Sequence, residues 1–228
     1  MTFSDLQQTI GLTFTNQELL KAAFIHRSYL NEARAIRESN ERLEFLGDAI
    51  LSFLTSHFLY TTYPDYPEGT LTNIRSSLVK TKSLADTARE LKLGELLFLS
   101  RGEEDSGGRT NSSLLADTFE ALLGAIFLDQ GIDPAKTFLA THLFSKVNDI
   151  VKNKSYIDYK SLLQEIIQSE TRISPTYHVT KSEGPDHAKT FWVEAKAGER
   201  LLGSGMGKSK QEAEQTAAVN ALAAMGKV

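Results

Sequence analysis

The chain contains no cysteine and only five prolines among its 228 residues. The absence of cysteine excludes disulfide bonds and thiolate metal sites, and it suits a cytoplasmic location without requiring one. No segment approaches 18 consecutive uncharged apolar residues, so we expect no membrane span. The N-terminal residues lack a basic region followed by an apolar run, so we expect no signal peptide.

An excess of basic residues is also lacking, because 25 Lys and Arg residues stand against 29 Asp and Glu residues. The total charge therefore gives no indication of nucleic-acid binding. Its distribution is more informative, since residues 156–228 hold nine residues of each sign and are neutral. The negative excess thus lies in the preceding residues, which indicates two parts of different character.

The spacing of apolar residues changes at the same place. Helical spacing predicts helices over 16–31, 40–61, 69–80, 81–92, 112–129 and 134–151. In the later residues, the spacing predicts helices over 158–170 and 209–225. Between these helices it predicts three strands, over 175–183, 187–196 and 200–205. We therefore predict an all-α domain over 1–152, a polar linker over 153–157 and a small α+β domain, in the order α-β-β-β-α, over 158–226.

Residues 40–54, NERLEFLGDAILSFL, form an acidic helix. Glu41, Glu44 and Asp48 fall at i, i+3 and i+7 and share one face. The opposite face carries the apolar residues that we expect to contact the core, namely Leu43, Leu46, Ile50 and Phe53. Like charges one turn apart destabilise a helix by a few tenths of a kcal/mol each, so an opposing charge is expected beside them.

A second acidic helix, within LLADTFEALLGAIFLD, carries Asp117 and Glu120 at i, i+3. Gly47 and Gly124 lie near the two acidic stretches, although glycine inside a helix costs about 0.5–1 kcal/mol relative to alanine. Close approach of the two helices would explain both glycines and would bring the carboxylates together. Such a cluster needs cations, and oxygen ligands without Cys or His favour magnesium or manganese. A solvated acidic face on each helix is the alternative.

Several motifs together resemble bacterial ribonuclease III, the endonuclease specific for double-stranded RNA. The signature stretch of that family is similar to ERLEFLGDAIL, and FIHRSYLNE, YPEGTLTNIRSSLV and SLLADTFEALLGAIFLDQG match further motifs in the same order. The tail, PTYHVTKSEGPDHAKTFWVEAKAGERLLGSGMGKSKQEAE, looks like a double-stranded RNA-binding domain. The resemblance covers nearly the whole chain, and the ordered set is far more specific than a single motif.

The resemblance implies roles for six acidic positions, none of which departs from the family pattern. Glu44, Asp117 and Glu120 match its magnesium ligands, and Asp48 and Glu120 match the positions assigned to catalysis. Two further acidic positions, linked in the family to cleavage-site choice and the outer shell, correspond to Glu41 and Glu68. Phosphodiester hydrolysis makes a compatible demand, because two divalent ions about 3.5–4 Å apart can activate water and stabilise the leaving oxygen.

Phe45 lies beside the acidic face. An aromatic residue there is most often part of the core. In the family this position projects into a cavity of a second subunit, which implies a homodimer with two acidic sites facing opposite strands of one duplex.

The segment GSGMGKS lacks the first glycine of a phosphate loop, because Leu202 stands there, so we expect no nucleotide cofactor. Lys208, Ser209 and Lys210 begin the last helix, where free N–H groups and the helix dipole favour phosphate. By resemblance these residues bind RNA phosphates, while Gln164, Gln168 and His187 contact the flanking minor grooves. His26 is expected to form a hydrogen bond in the core, and the other histidines are interpreted as structural or on the surface.

Three functions remain open on these grounds. The favoured one is a magnesium-dependent endoribonuclease that cleaves double-stranded RNA to 5′-phosphate and 3′-hydroxyl ends with short 3′ overhangs, with a role in ribosomal and messenger RNA processing implied by the family. An RNA-binding adaptor with a degenerate nuclease domain is the second. A metal-storage or redox bundle is the third, and the lack of a Glu-x-x-His sequence counts against it.

Overall fold

The first part of the chain is helical, as its periodicity predicts. The computed structural model describes residues 1–33, 36–185 and 188–227. Its contacts divide the chain into two units, Met1–Tyr156 and Ile157–Val228. Within the described residues of the first unit, the α-helices are α1 Phe3–Ile10, α2 Gln17–Ala22, α3 Glu41–Thr62, α4 Glu68–Val79, α5 Thr81–Glu90, α6 Arg101–Asp105, α7 Ser112–Gln130, α8 Ile132–His142 and α9 Val147–Lys152.

Helix α7 is buried along much of its length, with ten of its 19 residues inside. Helices α2, α3, α5 and α8 pack against it, so it forms the centre of the first unit. A helix that is apolar on several sides requires such an environment, because each side must find an apolar neighbour. The core of the unit forms around this helix, and the acidic side chains of α7 are therefore held by a well-packed element.

Two predicted helices are interrupted. The segment predicted over 134–151 contains α8 and α9, separated by a 3-10 turn at Phe144–Lys146. The segment predicted over 16–31 contains α2 and a 3-10 helix at Arg27–Asn31, and between them Ile25 forms an isolated parallel bridge with Phe98. Both breaks occur where consecutive apolar residues are all buried, which one face of a continuous helix cannot achieve.

Helix α1 was not expected from the periodicity. Thr2 begins it with a reciprocal cap, in which the Asp5 N–H donates to Thr2 Oγ1 at 3.1 Å and the Thr2 N–H donates to Asp5 Oδ2 at 2.7 Å. Leu6 and Ile10 enter the core. The Thr-x-x-Asp spacing is a helix-start signal that could have predicted this short element.

Phe53 corrects the predicted core face of α3. Its side chain is 61% exposed, whereas Ile50 and Leu54 are buried. The apolar face continues from Ile50 by a step of four residues to Leu54, which leaves Phe53 to one side. The prediction that Phe53 contacts the core is therefore wrong.

The second unit has the predicted order of helix, three strands and helix, which confirms the fold class. Its elements are α10 Tyr159–Thr171, β1 Thr176–Glu183, β2 Thr190–Ala197, β3 Arg200–Gly207 and α11 Lys210–Ala224. The strands form one antiparallel sheet in the order β1-β2-β3. Its core joins Leu163 and Ile167 of α10 with Val193 and Ala195 of β2 and with the alanine-rich face of α11.

Alternate glycines of β3 allow α11 to lie against the strand backbone. A Cβ atom added to Gly203, Gly205 or Gly207 would come within 2.2–2.6 Å of a backbone nitrogen of α11. Real Cβ atoms do not approach so closely, so these positions require glycine. The glycines of GSGMGKS therefore serve helix–sheet packing.

Candidate active site

Helices α3 and α7 cross at two glycines. A Cβ atom on Gly47 would lie 1.9 Å from the carbonyl oxygen of Glu120, and one on Gly124 would lie 2.3 Å from that of Leu43. Gly47 thus contacts the carbonyl of the residue four positions before Gly124, and Gly124 contacts the carbonyl of the residue four positions before Gly47. The two backbones are in direct contact, which confirms the predicted close approach and sets the spacing of the side chains on either side of the crossing.

Three carboxylates converge beside this crossing. One carboxylate oxygen from each of Glu44, Asp117 and Glu120 lies within 4.8 Å of the other two. Asp48 is exposed and close enough to act electrostatically on both glutamates, and Glu41 acts on Glu44. Four of the six acidic residues singled out in the sequence therefore meet at one place, with Glu41 at its edge.

Glu68 lies elsewhere within the subunit. It begins α4, its Oε1 accepts a hydrogen bond from Thr72 Oγ1 at 2.9 Å, and it lines a separate groove between α3 and α4. The structure thus does not group Glu68 with the acidic cluster of the same chain.

Burial and mutual repulsion raise the pKa values of the cluster. Burial, followed by the charges of Asp48, Asp117 and Glu44, raises the pKa of Glu120 to about 8. Burial and the nearby carboxylates also raise the pKa of Glu44. Burial raises the pKa of Asp117, which the nearby His26 partly offsets. Without a cation, the cluster cannot hold all its charges at neutral pH.

The donor set fits a hard divalent cation. Carboxylate oxygens on two rigid helices are the ligands that magnesium and manganese prefer, and the raised pKa values show that added positive charge would be favourable here. Glu44, Asp117 and Glu120 are the side chains that would hold it.

Without divalent metal, the protein is expected to lose thermal stability as pH rises from about 4.5 to about 8. Folding raises the pKa of Glu120, so the folded state holds the proton of this carboxyl more tightly than the unfolded state does. The resulting stabilisation is fully present below the unfolded-state pKa and is lost as pH rises through the folded-state pKa. Melting temperatures at pH 5 and pH 8, with chelator and with magnesium, test this. Magnesium should raise the melting temperature mainly at pH 8. The Glu120→Gln variant should show a flatter pH response, and an equal response from the variant would contradict the assignment.

A cavity of about 280 Å³ opens beside the cluster. Its walls include Glu44 and Asp117, and also His26 and Arg27. The hydrogen bond expected of His26 is present, with Nδ1 2.8 Å from Ser28 Oγ, but the expected core position is wrong, because His26 is half-buried at this cavity. The sequence gives no signal for this placement, since it depends on the bridge between Ile25 and Phe98, 73 positions apart.

An apolar groove of about 430 Å³ lies between α3 and α4, on the surface that also bears exposed aromatic residues. Phe53, Tyr60 and Leu71 are among its lining residues. Phe45 is 81% exposed. The core interpretation of Phe45 is therefore excluded, because the side chain is not packed within the helical unit that carries it.

The second unit presents its expected RNA-contacting residues on the surface. Gln164 and Gln168 are exposed one turn apart on α10, and Lys208, Ser209 and Lys210 are exposed at the start of α11. His187 lies outside the described residues.

The start of α11 is capped within the chain. The Glu212 N–H donates to Ser209 Oγ at 3.1 Å, and the Lys208 N–H donates to Glu212 Oε2 at 2.7 Å. One of the helix N–H groups expected to be free, that of Glu212, is thus already satisfied, and the Glu212 side chain is held by the Lys208 N–H.

No helix among the described residues is long and apolar enough to cross a membrane.

Comparison with known proteins gives consistent matches over both units. Residues 16–147 match the Ribonuclease-III-like family, and residues 159–225 match the double-stranded RNA binding motif. A protein called Ribonuclease 3 from Roseiflexus sp. (strain RS-1) is 46% identical over 97% of this chain and 94% of its own length. Another from Bacillus velezensis is 46% identical over 99% of this chain and 90% of its own length. Among solved structures, the nuclease domain of ribonuclease III from Campylobacter jejuni aligns with a TM-score of 0.58 and 35% sequence identity. The alignment covers 63% of this chain and 97% of that domain, in which a region involved in dimer formation is flexible. The chain therefore belongs to the ribonuclease III family of endonucleases specific for double-stranded RNA.

Proposed function

We propose that the cluster of Glu44, Asp48, Asp117 and Glu120 is the site at which this endoribonuclease hydrolyses double-stranded RNA. The observation that carries the proposal is the convergence of three carboxylates, with the pKa of Glu120 raised to about 8. Glu44, Asp117 and Glu120 are assigned as ligands of magnesium, for which manganese can substitute. Asp48 and Glu120 are assigned to catalysis, and Glu41 and Glu68 are assigned secondary roles.

The cation and the protein chain are assigned different parts of the reaction. A bound divalent cation supplies charge neutralisation at the phosphate and activation of water. The chain itself supplies a rigid frame, because the glycine crossing fixes the carboxylates on two packed helices. Asp48, exposed at the edge of the cluster, remains accessible to water.

The direct test is to incubate the purified protein with a long RNA duplex, with and without magnesium. Cleavage should require the metal, and a DNA duplex of the same sequence should remain intact. Products should carry 5′-phosphate and 3′-hydroxyl ends with short 3′ overhangs. Cyclic-phosphate ends would show attack by the RNA 2′-hydroxyl and would contradict the proposed chemistry. Binding without any cleavage would favour the RNA-binding adaptor.

We also propose that the protein is a homodimer with Phe45 at its interface. Phe45 projects from α3, and the groove between α3 and α4 has the volume and apolar lining to receive an aromatic ring. A two-fold pairing in which each Phe45 enters the groove of the other subunit satisfies both features at once. Glu68 lines the groove, so the same pairing would bring it toward the acidic cluster of the second subunit.

The second unit is proposed to bind the duplex by its shape. Lys208 and Lys210, with Ser209 between them, would contact phosphates across the major groove. Gln164 and Gln168 would contact a minor groove, and His187 is proposed to contact the other. Such contacts reach phosphates and 2′-hydroxyl groups, so little base specificity is expected.

Replacing Lys208 and Lys210 together by alanine should weaken duplex binding about equally for different sequences. Each lysine lost from a phosphate contact reduces counterion release, so the plot of binding constant against salt should also become less steep. Titrations of two unrelated RNA duplexes at several salt concentrations measure both effects. The exposed Lys227 offers a control, since Lys227→Ala should change neither. A loss that depends strongly on RNA sequence would contradict the assignment.

The biological setting is proposed from the family. We place the protein in the cytoplasm, acting on ribosomal RNA precursors and some messenger RNAs. The catalytic domain is proposed to cover 1–152 and the RNA-binding domain 158–226, with 153–157 as the linker.

A further inference from the structure

His26 is held in place by hydrogen bonds from two distant parts of the chain. Its backbone N–H donates to the Phe98 carbonyl at 3.1 Å, and the neighbouring Ile25 carbonyl accepts from the Asn40 N–H at 2.8 Å. Asn40 also donates from Nδ2 to the Ala23 carbonyl at 3.1 Å. Asn40 directly precedes α3, so these bonds fix the His26 backbone against the start of the helix that carries Glu44.

The hydrogen bonds to the ring determine which nitrogen carries the proton. The Ser28 backbone N–H donates to His26 Nδ1 at 3.3 Å, and an amide nitrogen can only donate. Nδ1 therefore accepts, and the neutral ring carries its proton on Nε2. Ser28 Oγ lies 2.8 Å from Nδ1 and accepts from the Ser100 N–H at 3.0 Å, which leaves its own hydroxyl proton for Nδ1. Among the residues that the structure describes, the Nε2–H group has no hydrogen-bond partner.

The ring of His26 is half-buried and lines the cavity of about 280 Å³ that Glu44 and Asp117 also line. Burial raises the pKa of Asp117, and His26 is close enough to Asp117 to offset part of that rise. The other basic side chain at this wall, Arg27, is 73% exposed, with its guanidinium 3.9 Å from the Glu41 carboxylate. Because Nδ1 is occupied, Nε2–H is the ring donor left for a ligand in the cavity.

We propose that His26 donates from Nε2–H to a phosphate oxygen of the RNA strand that is cut. This inference rests on the proposed function and adds a substrate contact to it. A neutral donor suits the position, because a lysine or arginine would pair with the carboxylates and compete with the cation. The fixed ring would hold the phosphate beside the cluster without reorganisation during the reaction.

A purely structural role for His26 is distinguishable from this one. Nδ1 caps the 3-10 helix Arg27–Asn31 by accepting from the Ser28 N–H. His26→Asn keeps an acceptor near Nδ1 but has no donor at the position of Nε2, whereas the longer amide of His26→Gln can place an N–H near that position. Comparing these two variants therefore separates the capping role of Nδ1 from hydrogen-bond donation by Nε2–H.

The test measures kcat and KM on an RNA duplex, the magnesium concentration at half-maximal rate, and duplex affinity with metal chelated. For His26→Asn we expect kcat to fall about 10- to 100-fold, the effect of losing one hydrogen bond to a charged group. Duplex affinity and the magnesium requirement should stay near those of the wild type. His26→Gln should recover part of the lost kcat.

Two outcomes would overturn the proposal. An Asn variant with wild-type kcat would show that capping is the whole role of His26. A loss of kcat that higher magnesium restores would show that His26 acts through the metal ligands. If His26→Asn does not fold, His26→Met decides, because its side chain is close in size to that of His26→Gln but has no N–H group to donate. A lower kcat at unchanged affinity then supports the proposal, and a wild-type kcat rejects it. Failure of the proposed function is separate, since the wild type would then show no magnesium-dependent cleavage.

Discussion

Glu120→Gln is expected to reduce cleavage of duplex RNA by more than about 10³-fold while leaving duplex affinity nearly unchanged. Glu120 belongs to the carboxylate cluster, and burial, followed by the charges of its acidic neighbours, raises its pKa to about 8. An amide is neutral and a poorer ligand for a hard cation, so the variant should lose metal affinity with little change in shape. Initial rates at moderate magnesium and titration of the duplex with metal chelated measure the two effects.

A matched control separates the site from general charge effects. Glu18→Gln makes the same chemical change at an exposed position on α2 and should cleave at the wild-type rate. Cleavage by Glu120→Gln within tenfold of the wild type would reject the assignment of Glu120. A parallel loss of duplex affinity would instead indicate that the substitution disturbs the fold.

Phe45→Ala is expected to convert the dimer to monomers at micromolar concentration. Truncation of a central aromatic residue costs about 2–4 kcal/mol at an interface, and a two-fold dimer loses the contact twice. The dissociation constant should therefore rise by at least about 10³-fold. Sedimentation across a range of concentrations measures this change. Leu128→Ala provides the control, because Leu128 is another exposed apolar residue but lies on α7.

The same dimer makes a prediction about products. If two sites face opposite strands of one duplex, isolated heterodimers of wild-type and Glu120→Gln subunits should nick one strand. Wild-type homodimers should release short duplexes. Efficient double-strand cutting by the heterodimer would show that one site cuts both strands, and a stable Phe45→Ala dimer would place the interface elsewhere.

Local sequence patterns predicted the fold class and indicated the acidic cluster, although a solvated acidic face stayed open until the family resemblance favoured the cluster. Helical spacing placed Glu44 and Asp48 on one face of α3 and Asp117 and Glu120 on one face of α7. Gly47 and Gly124 then indicated that the helices touch, which the structure confirms. These features could be predicted because each depends on residues a few positions apart and on one contact that the glycines mark.

The features that could not be predicted depend on contacts between distant residues. The place of His26 follows from pairing between segments near positions 25 and 98. The exposure of Phe53 follows from the direction in which the core face of a 22-residue helix drifts. The separation of Glu68 from the cluster depends on where α4 lies beside α3. The spacing of residues along a single helix or strand does not show how that element packs against others, so it could not predict these three positions.

The contact between Gly47 and Gly124 also has a consequence for protein engineering. Because each glycine meets the carbonyl four residues before the other, the crossing is close to symmetric and the two backbones touch at it. Glu44 and Glu120 each lie within about one turn of these glycines, so the crossing helps to fix the separation of their carboxylates. A designer could therefore transplant the two helical segments into an unrelated helical bundle as a portable cation-binding unit. Both glycines would have to be retained, whereas most other outward positions could be redesigned.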